Sequence, residues 1–96
     1  MKLRNTSKQL NTELVEKFNA LGDGTRFRLL ELLIEDDGIC VSELANEIDI
    51  SNAGVSQQLK VMEQAGIIVR KRNGQKICYQ VDESNAANKQ LLNLIK

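Results

Sequence analysis

Histidine is absent from all 96 residues of this chain. That removes the commonest general base and the commonest metal ligand together. Only two cysteines occur, Cys40 and Cys78, too few for the disulfide framework of a small secreted domain. No apolar run approaches the ~18 residues that a membrane span needs. The basic start, Met1 to Arg4, leads into polar residues 5–9, where a signal peptide would need its apolar segment. A cytoplasmic protein without membrane contact is therefore expected. No glycine-rich phosphate loop is present, no nucleophile–base pair can use histidine, and the carboxylates sit singly on polar faces. An enzyme is not expected on these grounds, nor is a cofactor.

What is present describes a globular chain. It is 42% hydrophobic and 27% charged, which is not the composition of a disordered segment. Its length suits one domain, residues 1–96, that buries roughly 60–68% of its unfolded surface. Thirteen cations and thirteen acids cancel, so their distribution matters more than their sum.

Hydrophobic periodicity predicts five helices. Leu10, Leu14, Phe18 and Leu21 recur at helical spacing and mark the first, about residues 9–21. Gly22-Asp23-Gly24 breaks it, and Asp23 suits an N-cap. The second, about residues 25–34, is apolar over more than half its circumference and is expected to be the most buried. Ile39-Cys40-Val41 is short and β-branched, an extended bridge. A third helix, about residues 41–48, turns Val41, Leu44, Ala45 and Ile48 inward. Asp49-Ile50 then links tightly to a fourth that starts at Ser51 and stops at Ala65-Gly66. Two short helices joined so briefly, about residues 41–65, form a helix-turn-helix. Two β-rich runs flank Asn73-Gly74, a hairpin signal, and make a wing of about residues 67–81. A type I′ link there pairs Arg72 with Gln75 and Val69 with Cys78. The last helix, about residues 85–95, carries Ala87, Leu91, Leu94 and Ile95. The expected fold is mainly α with a small β-hairpin: five helices, a bridge strand and a two-stranded wing, a winged helix-turn-helix.

The fourth helix organises the rest. Val55, Leu59 and Met62 share one face at spacings of four and three. Asn52, Ala53, Ser56 and Gln57 lie away from it, a short-chained amide and hydroxyl surface with Lys60 and no acid. Such a surface fits the major groove of double-stranded DNA, where amide side chains pair with adenine. Alone, it equally fits a solvated structural helix; the hairpin shifts the balance. Residues 51–80 contain Lys60, Arg70, Lys71, Arg72 and Lys76 against one acid, Glu63, a net +4. The remaining residues therefore sum to −4. Asn52, Ala53, Ser56 and Gln57 are assigned to base edges. Ser51, Lys60, Arg70, Lys71, Arg72 and Lys76 are assigned to phosphates, which set register and much of the affinity. Gln58 lies nearer the apolar flank and reads as structural.

Three segments carry a resemblance to a known family. LGDGTRFRLLELL (residues 21–33), VSELANEIDISNAGVSQQLKVMEQAGII (41–68) and RKRNGQKICYQV (70–81) together resemble the ArsR/SmtB winged-helix repressors, with Gly24 where a proline is usual. The resemblance implies a homodimer joined by the first and last helices, bound to an operator and released by a chemical signal. Leu10, Leu14, Phe18, Leu91, Leu94 and Ile95 are the expected interface. Two-fold symmetry implies an inverted-repeat operator. The family's metal sensors commonly carry Cys-Val-Cys at the third helix; this chain has Cys40-Val41-Ser42. The usual recognition-helix histidine is Gln58. Asp82 and Glu83 stand at the C-terminal site without a histidine beside them. A tetrahedral soft-metal site wants three or four Cys or His ligands, so no metal is expected.

In a winged helix the bridge strand pairs with the second wing strand, which brings Cys40 and Cys78 to neighbouring strands. They form either a redox-sensitive pair or two buried apolar fillers; filler, the ordinary role of a free cysteine, is preferred. Two other functions stay open: a winged helix used for protein contact, since fold does not fix function, and a DNA-binding protein that senses nothing. Four cations within residues 70–76 favour phosphates over a protein partner.

Overall fold

The computed structural model describes residues 2–95, with side chains from residue 8 to residue 95. In chain order the elements are α1 (Lys2–Leu21), α2 (Gly24–Glu35), β1 (Ile39–Cys40), α3 (Val41–Ile48), α4 (Asn52–Gln64), β2 (Ile68–Asn73), β3 (Lys76–Val81) and α5 (Ala86–Ile95). The strands form one antiparallel sheet in the order β1-β3-β2. This is the winged helix-turn-helix expected from the sequence.

Local chemistry sets most boundaries. Asp23 caps α2 by accepting from the backbone N–H of Thr25 (2.9 Å) and Arg26 (3.2 Å). Ser51 does the same for α4, its hydroxyl accepting from Gly54 N at 3.0 Å. Gly66, at φ 76°, turns the chain out of α4 into β2. α1 starts well before residue 9, because polar residues extend a helix without adding to the apolar repeat that marks it.

Leu29, Leu30, Leu32 and Leu33 make α2 the central helix, as its broad apolar surface predicts. Leu44, Val55, Leu59, Met62, Ile67 and Ile68 complete one core beneath the helix-turn-helix and the base of the wing. Phe27 on α2 is exposed and Ile34 only half-buried.

The wing register corrects the sequence reading. Asn73 pairs with Lys76, Arg72 with Ile77 and Val69 with Gln80, so Gly74 and Gln75 are the link. Of these two only Gly74 takes a positive φ, 65°, whereas a type I′ turn needs it at both central residues. This pairing sets Ile68 opposite Val81, whereas the expected one would have put Ile68 opposite Tyr79. Tyr79 and Val81 are both buried on one face of β3, so the two-residue shift leaves the inward side chains inward.

Candidate nucleic-acid interface

α4 is held by its inward face and presents the other. Val55, Leu59 and Met62 are fully buried, while Ser51, Asn52, Ala53, Gln57 and Lys60 are exposed and Ser56 is half-buried. All four residues assigned to base edges therefore lie on or beside the open surface of α4. Gln58 does not share it: its Oε1 accepts from the Arg26 guanidinium at 2.7 Å. Arg26 also donates to Ala20 O, so it ties the end of α1 to the middle of α4. Gln58 is thus occupied in holding α4.

The wing projects beside α4. Arg70, Lys71, Arg72 and Lys76 are all exposed, and none forms an ion pair among the described residues. Free guanidinium and ammonium groups along a two-stranded ribbon are what a polyanion backbone requires. Between α3, the start of α4 and the wing lies an open groove of about 320 Å³, lined by Val41, Ser42, Asn52, Ser56, Gln75 and Lys76 among others. Ser42 and Gln75 escaped the sequence reading. Ser42 stands where the family pattern has a cysteine, and Gln75 belonged to the turn in the shifted register.

Cys40 and Cys78 face each other across β1 and β3 and are joined as a disulfide closing a separation of 38 residues. Both are buried, but the bridge corrects the preferred reading of two free apolar fillers, since neither cysteine is free. Cys40 is the N-cap of α3, where Glu43 Oε1 accepts from its backbone N–H at 3.2 Å. The bridge thus ties the first helix of the helix-turn-helix to the wing. Tyr79, next to Cys78, is buried beneath the wing. Burial, helped by the nearby Glu63 carboxylate and opposed by Arg70, pushes its phenol above the usual pKa of 10.0.

The expected interface residues divide. Leu94 is 73% exposed and Phe18 is also exposed, whereas Leu10, Leu14 and Ile95 are half-buried. Leu91 is 1% exposed and belongs to the protomer's own core. Val15, which was not expected there, is exposed on α1 three residues before Phe18. Among the described residues no three His, Cys, Asp or Glu side chains gather as metal ligands. No helix there is long and apolar enough to cross a membrane.

A family model described as a helix-turn-helix domain matches residues 21–71, from the end of α1 into the wing. The chain is 29% identical over 76 residues to a transcriptional repressor SmtB homolog of Synechocystis, covering 79% of this chain and 57% of that one. The chain belongs to the ArsR/SmtB family. It is a family of transcriptional regulators and not of enzymes. An uncharacterized HTH-type transcriptional regulator of Mycobacterium tuberculosis is 33% identical over 66 residues, 69% of this chain and 58% of that one. This ArsR/SmtB chain thus spans a little over half the length of these curated relatives. Among solved structures, the transcriptional repressor BigR of Xylella fastidiosa superposes with a TM-score of 0.76 at 30% identity, covering 96% of this chain and 88% of that one.

Proposed function

We propose that this chain is a cytoplasmic, sequence-specific DNA-binding repressor that acts as a homodimer on an inverted repeat. The observation that carries the reading is the pairing of two exposed surfaces of different chemistry. α4 offers short polar side chains suited to base edges, and the adjoining wing offers four cations, without ion-pair partners among the described residues, suited to phosphates. Asn52, Ala53, Ser56 and Gln57 read bases; Ser51, Lys60, Arg70, Lys71, Arg72 and Lys76 hold the backbone. A second copy covers Leu94, Phe18 and Val15, apolar groups that the protomer leaves in water. Two-fold symmetry then sets the two α4 helices about one DNA turn, ~34–36 Å, apart.

The test is fluorescence anisotropy of the reduced chain on duplex from its own upstream region and on scrambled duplex, across salt. Tighter binding to the upstream duplex, with a steep salt slope on both, supports the reading. A folded dimer that binds neither duplex refutes it and leaves a protein-contact module.

The disulfide favours one signal. A hydroperoxide takes two protons and two electrons from the Cys40 and Cys78 thiols, leaving the disulfide, an alcohol and water. Because the bridge fixes α3 to β3, closing or opening it moves the wing relative to the helix-turn-helix. Equal affinity of the reduced and oxidised forms for the upstream duplex would rule this signal out.

A further inference from the structure

The turn between α4 and β2 is gripped by two buried polar side chains, one from α1 and one from α5. Lys17 is 2% exposed and donates from Nζ to Ala65 O at 2.8 Å. No carboxylate among the described residues pairs with it. Its charge is met instead by the carbonyl end of α4, the negative pole of that helix. Asn88 is fully buried and donates from Nδ2 to Gly66 O at 2.9 Å and to Asp82 O at 2.8 Å. Successive carbonyls, Ala65 O and Gly66 O, are thus held by the first and last helices.

Gly66 makes the grip possible. It sits at φ 76°, and a Cβ there would stand 3.1 Å from Lys17 Nζ. The corner is closed from within as well: Ala65 N donates to Val61 O, Gly66 N to Glu63 O and Ile67 N to Met62 O. Asp82 N donates to Ile67 O, which ties the end of the wing to the same point. Four elements therefore meet at residues 65–67, and two of them carry the exposed apolar groups assigned above to the second copy.

We infer that Lys17 and Asn88 are positioning residues for DNA reading, setting the angle of α4 and the root of the wing from the helices that join the two protomers. The inference rests on the DNA reading proposed above. Neither side chain touches the reading surface; each acts through a backbone carbonyl at the foot of α4. Burying an ammonium group and an amide is costly, the more so because Asn88 Oδ1 is buried without a hydrogen-bond partner among the described residues, and hydrophobic residues would fill the same space at less cost. What the polar pair adds is direction, because each bond fixes one carbonyl.

The experiment compares the full chain with Lys17→Met and Asn88→Ser by anisotropy on the upstream and scrambled duplexes. Dimerisation is followed by sedimentation and folding by circular dichroism. Each variant is expected to stay folded and dimeric, yet to lose about tenfold in affinity for the upstream duplex, or ~1.4 kcal/mol. Scrambled duplex, held by the unchanged wing cations, should lose much less, so the ratio between the duplexes falls. A merely structural role would lower the unfolding midpoint and leave that ratio unchanged, which overturns the inference. Wild-type protein that binds neither duplex removes the DNA reading and the inference with it. Wild-type binding with unchanged variants removes the inference alone. Should both variants unfold, amide exchange on the wild type decides. Residues 65–67 must be as protected as Leu59 and Met62, and fast exchange at the corner overturns the grip.

Discussion

Asp49 occupies the turn of the helix-turn-helix at φ 65° and ψ 46°, the left-handed region, and is the one non-glycine residue with positive φ among those described. Its backbone N–H donates to Ala45 O at 2.8 Å, with Ile50 N reaching the same carbonyl at 3.3 Å. The geometry is required to end α3 and start α4 within three residues; the side chain is exposed. Asp49→Gly should therefore stabilise the protein. A left-handed residue with a Cβ costs ~1–2 kcal/mol, less for short polar side chains such as Asp. Removing an acid from the carbonyl end of α3 contributes ~0.3–1 kcal/mol more. Glycine's extra freedom in the unfolded chain takes back ~0.4–1 kcal/mol. The net gain is about 1 kcal/mol, or ~4–8 °C in Tm for a domain of this size. Asp49→Asn separates the causes, since it removes the charge and keeps the Cβ; it should yield only the charge part, ~0.3–1 kcal/mol. Asp49→Ala should lose stability. Urea unfolding followed by circular dichroism, at one protein concentration and one redox state, measures all three. A glycine variant no more stable than the asparagine one would assign the gain to charge and refute the backbone argument.

The interface assignments make opposite demands on two residues. Gln57→Ala should lower discrimination between upstream and scrambled duplex by ~1–3 kcal/mol, and unchanged discrimination would mean that α4 reads bases with another face. Arg72→Ala should weaken both duplexes alike and flatten the salt dependence by about one unit of slope; a sequence-selective loss would contradict its phosphate role. Reducing the Cys40–Cys78 bridge releases a separation of 38 residues. By chain entropy this costs about 3–4 kcal/mol of stability, measured as a fall in the urea midpoint with dithiothreitol; no change would show that the bridge does not constrain the unfolded chain. Tyr79 is the only tyrosine, so its titration can be read directly by tyrosinate absorbance. The folded chain keeps the phenol proton to higher pH than the unfolded chain. Stability is therefore unaffected below about 10 and lost as the pH rises from there through the folded value. A midpoint at or below 10 would contradict burial of the phenol.

Several features were legible because their causes are local. The caps at Asp23 and Ser51 act within three residues, and the inward face of α4 follows from the helical period alone. The +4 concentrated in residues 51–80 needs no structure to be seen. The order of elements and the winged-helix architecture followed from these signals. The sequence by itself thus determined which segments are helices and strands, which face of α4 is apolar and where the positive charge collects.

Tertiary structure decided what depends on residues far apart in the chain. Asn73-Gly74 suggested one hairpin register, and the folded sheet adopts another, with Ile68 opposite Val81. Leu91 and Leu94 look alike on the fifth helix, but only packing sends Leu91 into the core and leaves Leu94 in water. Lys17 sits among charged neighbours on α1 and reads as a solvated residue. It is buried because the carbonyl end of α4, 48 residues away, comes to rest against it. A local pattern can fix the conformation of a segment, since its period and caps lie within a few residues. It cannot fix which side chains meet, because that depends on burial shared between elements that touch only once the chain has folded.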